Sequence, residues 1–313
     1  MTTVPLGHSG LIISAIGAGT WQWGDRFYWG YGREYGQDDL RAAFTDALDA
    51  GITLFDTAEI YGLGRSEKII GRLLKERSSG SGATPIIATK FFPLPWRLRR
   101  AALIRALRGS LRRLGLERID LYQVHWPMGP RDVAHWVRAL ADAHDAGLVR
   151  AVGVSNYDVP QMLRAHDALA ARGIPLSSNQ VGFSLLNRSA ERSGLLDAAR
   201  ELGVTVIAYG PLGEGLLSGK YNSDRPPPLL RRVRYARKWL PKLPPLIGLM
   251  REIGRAHGGA TPAQVALAWC IEKGAVPVPG VKRAEHARDA AAAMSLRLSP
   301  DEMATLDQAT AGY

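Results

Sequence analysis

Short apolar runs alternate along this chain with longer segments whose apolar residues recur at helical spacing. The runs fall at 15–21, 51–57, 85–91, 119–126, 149–156, 176–182, 204–209 and 275–279. The amphipathic segments follow near 38–50, 66–77, 99–114, 132–146, 159–172, 190–202, 262–273 and 283–293. A strand followed by a helix, repeated in this order, predicts βαβ units and a parallel sheet. Eight repeats close a barrel, so the expected fold is α/β, a (β/α)8 TIM barrel formed as one domain over residues 1–313. A doubly wound sheet is the competing architecture. It normally carries G-x-G-x-x-G after its first strand, and GAGTWQWG does not fit that spacing.

Three pieces lie outside the repeat. Residues 4–14, with VPLG, HSG and LIIS, read as a hairpin able to plug the bottom of a barrel. A long insert runs from about 212 to 246 after the seventh strand and leads into an extra helix, LIGLMREIGRAHG. Near the end, Ser299 as N-cap, Pro300 at the first helical position and acidic residues in the first turn predict a second extra helix. Thr261, Pro262 and Gln264 give the same kind of start to the seventh barrel helix.

Composition narrows the class. With 46% apolar and 22% charged residues the chain is an ordinary globular one, and no run approaches the ~18 apolar residues of a membrane helix. The N-terminus lacks the pattern of a secretory signal, which predicts a cytoplasmic protein. The lone cysteine, Cys270, sits in TPAQVALAWCIEKG on the apolar side of a helix and is given no catalytic role. A net charge of +11 raises the possibility of a nucleic-acid partner. However, Arg97, Arg99, Arg100, Arg105, Arg108, Arg112 and Arg113 alternate with Leu and Ile at helical spacing, as on a solvated outer helix. The basic, proline-rich stretch 225–245 reads as a lid or a basic surface loop. No nucleic acid, no membrane and no metal are expected as partners.

Candidate chemistry gathers where the strands end. Asp56, Tyr61, Lys90 and His125 each close or follow a strand-like run, in ITLFDTAEIYG, PIIATKFF and IDLYQVHW. A parallel barrel would carry all four to the same rim. Singly, each has a structural explanation: a turn cap, a packed ring, a surface charge, a hydrogen-bonded core imidazole. Together they form a proton donor. A neighbouring ammonium favours a phenolate, and a carboxylate holds that ammonium charged, so Tyr61 is expected to have a lowered pKa and to protonate a carbonyl oxygen.

DAGITLFDTAEIYGLGRSEKIIG, ATKF, RLGLERIDLYQVHWP, GLVRAVGVSNY, SNQVGFSLL and AYGPLGEGLLSGKY resemble, in this order, the aldo-keto reductases. The likeness covers nearly all of 10–310. Within that family it is most similar to the cyanobacterial, chloroplast and bacterial reductases near the pyridoxal reductases. The resemblance implies NADPH/NADP+ as cofactor, held without a Rossmann fold, and hydride transfer to an aldehyde or ketone. It implies Tyr61 as general acid, Lys90 lowering its pKa, Asp56 pairing with Lys90, and His125 orienting the carbonyl.

It also implies a cofactor site. Ser155, Asn156 and Gln180 match the residues that hold the carboxamide, and Tyr209 the ring that stacks on nicotinamide, with core packing at a strand end as the alternative for Tyr209. The 210–217 segment, through Gly210, Pro211, Leu212, Gly213, Gly215 and Leu217, would lie along the pyrophosphate. Gly280, Val281, Lys282, Arg283, His286 and Asp289 match the adenosine-phosphate segment, with Lys282 and Arg283 toward a 2′-phosphate. The chain departs from the family at His286, Asp289 and Ala290, at Gly210 where serine is frequent, and at Gly182 and Phe183 where glutamate and tyrosine are common.

Trp21, Trp23, Phe92 and Trp126 are expected around the substrate, where aromatics favour flat or apolar aldehydes, although tryptophans beside loops also serve as core. Arg231, Arg232, Arg234 and Arg237 of the insert are candidates for an anionic substrate group. The expected partner is a small-molecule carbonyl compound, and the expected state a monomer or weak homo-oligomer. Two other readings stand beside the reductase: a low-turnover NADPH-binding redox sensor or partner subunit, and a barrel enzyme forming a Schiff base on Lys90.

Overall fold

Eight parallel strands wrap into a barrel in the computed structural model, which describes residues 2–77, 83–129, 131–222, 224–228 and 239–313. Two short strands precede it, β1 (Thr3–Pro5) and β2 (Ile12–Ser14), paired antiparallel. The barrel strands are β3 (Gly17–Gly19), β4 (Leu54–Asp56), β5 (Ile86–Phe91), β6 (Ile119–Val124), β7 (Val149–Ser155), β8 (Leu176–Gly182), β9 (Thr205–Tyr209) and β10 (Ala275–Val278), each beside its successor in sequence. A parallel bridge from Gly19 to Gly280 joins the first strand to the last, with the Gly19 N–H donating to the Pro279 carbonyl at 2.8 Å. The (β/α)8 expectation holds.

The helices are α1 (Gln37–Asp49), α2 (Arg65–Arg77), α3 (Ala101–Leu114), α4 (Val133–Asp145), α5 (Val159–Ala170), α6 (Ser189–Arg192), α7 (Leu195–Glu201), α8 (Leu243–Ala256), α9 (Pro262–Glu272), α10 (Ala284–Ala292) and α11 (Pro300–Ala309). The segment 190–202, expected as one helix, is broken into α6 and α7. Gly194 stands between them at φ 73, a conformation that costs glycine little and ends the first turn. Thr261 and Ser299 cap α9 and α11 as their sequences predict, each in a full capping box. The insert's Arg231, Arg232, Arg234 and Arg237 lie outside the described residues.

The barrel interior is layered. At the bottom, Leu6, Leu11 and Ile13 of the hairpin pack against Leu54, Ile86, Leu121, Ala151, Ile207 and Val276, so the plug closes the lower end with apolar side chains. Strand alternation then puts Asp56, Lys90 and Gln180 on the same inner face nearer the top. Outside, Val, Leu and aromatic residues of the alternate positions meet the helices, with Phe91 against Trp136 and Phe44 against Phe55. Among the described residues no helix is long and apolar enough to cross a membrane.

Candidate active site

β4, β5, β6, β7 and β8 end at the floor of a cleft of about 990 Å3 that runs across the top of the barrel. Asp56, Tyr61 and His125 open into it, and Lys90 lies directly below, fully buried. The Lys90 ammonium donates to Asp56 Oδ1 at 2.7 Å, Asp56 Oδ2 at 2.6 Å and the Thr57 carbonyl at 2.9 Å. All three of its N–H groups are thus engaged. Asp56 Oδ1 also accepts from Gln180 Nε2 at 2.7 Å, a link that nothing in the sequence pointed to.

The ammonium lies 5.2 Å from the centre of the Tyr61 ring. Burial, then the Asp56 carboxylate and Tyr209, push the Tyr61 phenol well above the ordinary tyrosine range. This corrects the expectation of a lowered phenol: the Lys90 charge is offset by Asp56, so desolvation decides. Burial also lowers Lys90, against the opposing pull of Asp56. Tyr61 is therefore a neutral hydroxyl donor facing the cleft.

His125 meets Tyr61 edge to face, with ring centres 5.8 Å apart and planes at 78°. Burial, then the Lys90 charge, push its imidazole down from 6.5 to about 2. Its Nδ1 is buried without a partner. A buried N–H without an acceptor is costlier than a bare lone pair, so the tautomer with its hydrogen on Nε2 is favoured. Because the folded imidazole resists protonation while the unfolded one accepts it below about pH 6.5, His125 should make stability fall as pH drops from there toward 2. The slope is about 1.4 kcal/mol per pH unit at most. Comparing the acid limb of unfolding free energy in His125→Asn with wild type isolates this contribution; equal slopes would mean the imidazole is charged in the fold.

Beside this floor, Asn156 adopts φ 62, unusual outside glycine. It is held by its own amide: Nδ2 donates to the His125 carbonyl at 3.1 Å and to Ser155 Oγ at 3.0 Å, and Oδ1 accepts from the Tyr209 hydroxyl at 2.9 Å. Ser155 Oγ donates in turn to the Gln180 carbonyl at 2.8 Å. A Cβ at Gly182 would lie 3.1 Å from Asn187 Nδ2 and 3.2 Å from Tyr209 Cζ, so a larger residue there would crowd the Tyr209 ring.

Most expected cofactor residues line the cleft: Ser155, Asn156, Gln180, Tyr209, Gly210, Pro211, Leu212, Gly213, Gly215, Gly280, Lys282, His286 and Asp289. Three do not. Leu217 and Val281 are core residues, and Arg283 turns away to donate to the Glu34 carbonyl at 2.9 Å. Lys282 lies over the Tyr35 ring at 4.6 Å, with Glu34 3.6 Å away. Asp289 accepts from Gln264 Nε2 at 2.8 Å and Thr261 Oγ1 at 3.2 Å, which ties it to the start of α9. His286 keeps a buried Nδ1 without a partner.

Of the aromatic residues expected around a substrate, Trp21 and Trp126 line the cleft, and Trp126 remains 40% exposed. Trp23 does not: it is fully buried and donates its indole N–H to the Val281 carbonyl at 2.6 Å, so it is core. Phe92 does not line the cleft; its ring meets that of His125 with centres 5.5 Å apart and planes at 82°. Tyr28 and Trp29, passed over in the sequence, pack on Trp21 at 5.5 and 5.3 Å. The aromatic density of WQWGDRFYWGYG was the available signal. Tyr28 also donates to Glu214 Oε2 at 2.6 Å, which connects the loop after β3 to the segment after β9.

Two arginines placed on a solvated helix face turn inward instead. Arg113 pairs with buried Glu67 at 2.6 Å, and Arg97, ahead of α3, closes on Glu59. Cys270 is fully buried, and burial raises its thiol, which suits the structural role expected of it. Among the described residues no cluster of His, Cys, Asp and Glu could hold a metal ion.

The lining suits a dinucleotide: the amide and hydroxyl groups of Ser155, Asn156 and Gln180, the 210–215 segment, and the basic side chains of Lys220 and Lys282 with His286 all face the same cleft. The comparisons agree. The model of the aldo/keto reductase family matches residues 15–311. A chloroplastic pyridoxal reductase from Arabidopsis thaliana is 41% identical, over 96% of this chain and 84% of that protein. A glycerol dehydrogenase from Gluconobacter oxydans superposes with a TM-score of 0.81 at 28% identity, covering 99% of this chain and 95% of the other. An aldo/keto reductase from Klebsiella pneumoniae, solved with NADP and acetate, gives 0.76 at 27% identity, covering 98% and 95%.

Proposed function

Since the chain belongs to the aldo/keto reductase family, we propose that its cleft reduces an aldehyde or ketone with Tyr61 as general acid and His125 as the second donor to the carbonyl oxygen. As a member of that family with NADP-bound structural neighbours, the protein is an NADP-dependent oxidoreductase. The observation that carries the assignment of roles is the floor geometry: a neutral phenol and a neutral imidazole meet at 5.8 Å with a buried ammonium beneath.

Bound NADPH would supply a hydride to the carbonyl carbon, leaving NADP+. Each residue of the floor then has work that follows from its surroundings. A carbonyl oxygen seated between Tyr61 and His125 Nε2 gains negative charge as its carbon is reduced, and two preorganised donors stabilise that charge. Tyr61 hands its proton to the oxygen, giving the alcohol, and the phenolate left behind faces the Lys90 ammonium. Asp56 keeps that ammonium in place, and Gln180 fixes the second side of the carboxylate. Ser155, Asn156 and Gln180 carry the polar groups that would orient the nicotinamide, with Tyr209 as its stacking face.

For the substrate, the wall beside Tyr61 favours flat rings. Trp21 tilts over Tyr61 at 6.5 Å, and Trp126 and Ile60 stand at the mouth. A flat aromatic aldehyde, of which pyridoxal is the case that the plant relative suggests, fits these walls better than a short polyol aldehyde. NADPH oxidation measured against pyridoxal, substituted benzaldehydes and glyceraldehyde tests the idea. A higher kcat/KM for glyceraldehyde than for every ring compound would reject it.

A Schiff base on Lys90 is disfavoured, because the amine is buried and its three hydrogens are bound to Asp56 and Thr57. At the far end, Lys282 lines the cleft while Arg283 does not, so Lys282→Ala should weaken NADPH binding about tenfold and NADH binding little. Titration of both cofactors by fluorescence decides this. An equal loss for the two would place the 2′-phosphate elsewhere.

A further inference from the structure

Glu59 stands two residues before Tyr61, on the loop after β4, with its side chain 8% exposed. One carboxylate oxygen accepts from the Phe92 backbone N–H at 2.8 Å and from Arg97 Nη1, and the other lies 3.2 Å from Arg97 Nη2. Arg97 Nη1 also donates to the Phe92 carbonyl at 2.9 Å, and the guanidinium covers the Phe91 ring at 5.0 Å. The pair therefore grips Phe92 by both its N–H and its carbonyl.

Phe92 is the residue whose ring meets the His125 ring at 5.5 Å and 82°. With Nδ1 unpartnered, no protein hydrogen bond to that nitrogen fixes the imidazole, and ring contacts with Phe92 and Tyr61 locate it instead. The backbone repeats the same stitching, since the Glu59 N–H donates to the Lys90 carbonyl at 3.3 Å and the His125 N–H to the Phe91 carbonyl at 2.8 Å. Buried ion pairs are poor stabilisers, because desolvating two charges offsets most of their attraction. A planar guanidinium holding a carboxylate through two nitrogens does define geometry closely.

We propose that Glu59 and Arg97 are positioning residues that set the place of His125 relative to Tyr61, by holding Phe92 against the imidazole. The inference rests on the reading of Tyr61 and His125 as the donor pair. Neither residue touches the substrate; both act through Phe92 and His125.

The test uses the full chain with Glu59→Gln and Arg97→Met combined, which removes both charges and leaves none buried alone. The single-turnover rate of hydride transfer should fall about tenfold or more, while NADPH affinity stays as in wild type. Introduced into His125→Ala, the same two changes should cost nothing further, because the imidazole they position is gone. An undiminished rate in the double variant overturns the proposal, as does an equal loss in both backgrounds. If the double variant does not fold, Phe92→Leu, which keeps the ion pair, must show the same loss and the same dependence on His125. Wild-type rates in both Tyr61→Phe and His125→Ala would remove the donor-pair reading and this role with it. Losses in those two with none in the brace variants would remove the brace alone.

Discussion

Replacing Tyr61 with phenylalanine should reduce the rate of hydride transfer by at least ~10²-fold, with NADPH bound as tightly as before. The phenol lines the cleft, and among the described residues it makes no hydrogen bond to the protein that its loss would break. Burial and Asp56 keep it protonated through the physiological range, so a proton is available to an incoming alkoxide without prior ionisation. The phenylalanine ring keeps the edge contact with His125 and the tilt against Trp21. Stopped-flow turnover of a preformed NADPH complex separates the chemical step from binding. A fall in affinity as large as the fall in rate would make Tyr61 structural, and an unchanged rate would assign the acid elsewhere.

Lys90→Met should fail in two ways. Without the ammonium, the Asp56 carboxylate is left buried with Gln180 as its remaining side-chain donor among the described residues, and breaking such a pair costs about 3–5 kcal/mol. Thermal unfolding should shift down by on the order of 10 °C for a chain of this size. Hydride transfer should also drop by about 10² or more, because the phenolate formed at Tyr61 loses the one cation beneath it. Adding Asp56→Asn separates the two effects: the unfolding temperature should largely recover, and the rate should not. If the Lys90→Met protein melts with wild type, the pair is not the buried, mutually dependent unit that its 2.6 Å contact describes.

The meeting of Asp56, Tyr61, Lys90 and His125 was legible in the sequence because each closes or follows a strand-like run, and a parallel barrel sends every strand end to one rim. The same rule places Ser155, Asn156 and Tyr209, which end or follow β7 and β9, and Gln180, near the end of β8. Trp23 and Phe92 misled because a ring near a strand end has two sides to choose from, and alternation is lost once the strand stops. Trp23 turned inward to donate to the Val281 carbonyl. Arg97 and Arg113 misled for a related reason. Helical spacing says which side of a helix a residue occupies, not that a neighbouring element will bring Glu59 or Glu67 to meet it.

By itself the sequence determined the alternation of elements, the plug, the helix caps and the set of chemical groups at the rim, all of which depend on residues near in the chain. Distances between groups far apart in sequence were decided by the closed barrel: Gln180 on Asp56 across 124 residues, Tyr28 on Glu214 across 186, Arg283 on Glu34 across 249. The charge state of the floor belongs to the same class. Whether the phenol is lowered by the ammonium or raised by burial depends on how much water three converging strands exclude and on where the ammonium directs its hydrogens. Periodicity carries neither quantity, because both arise only when the strand ends meet.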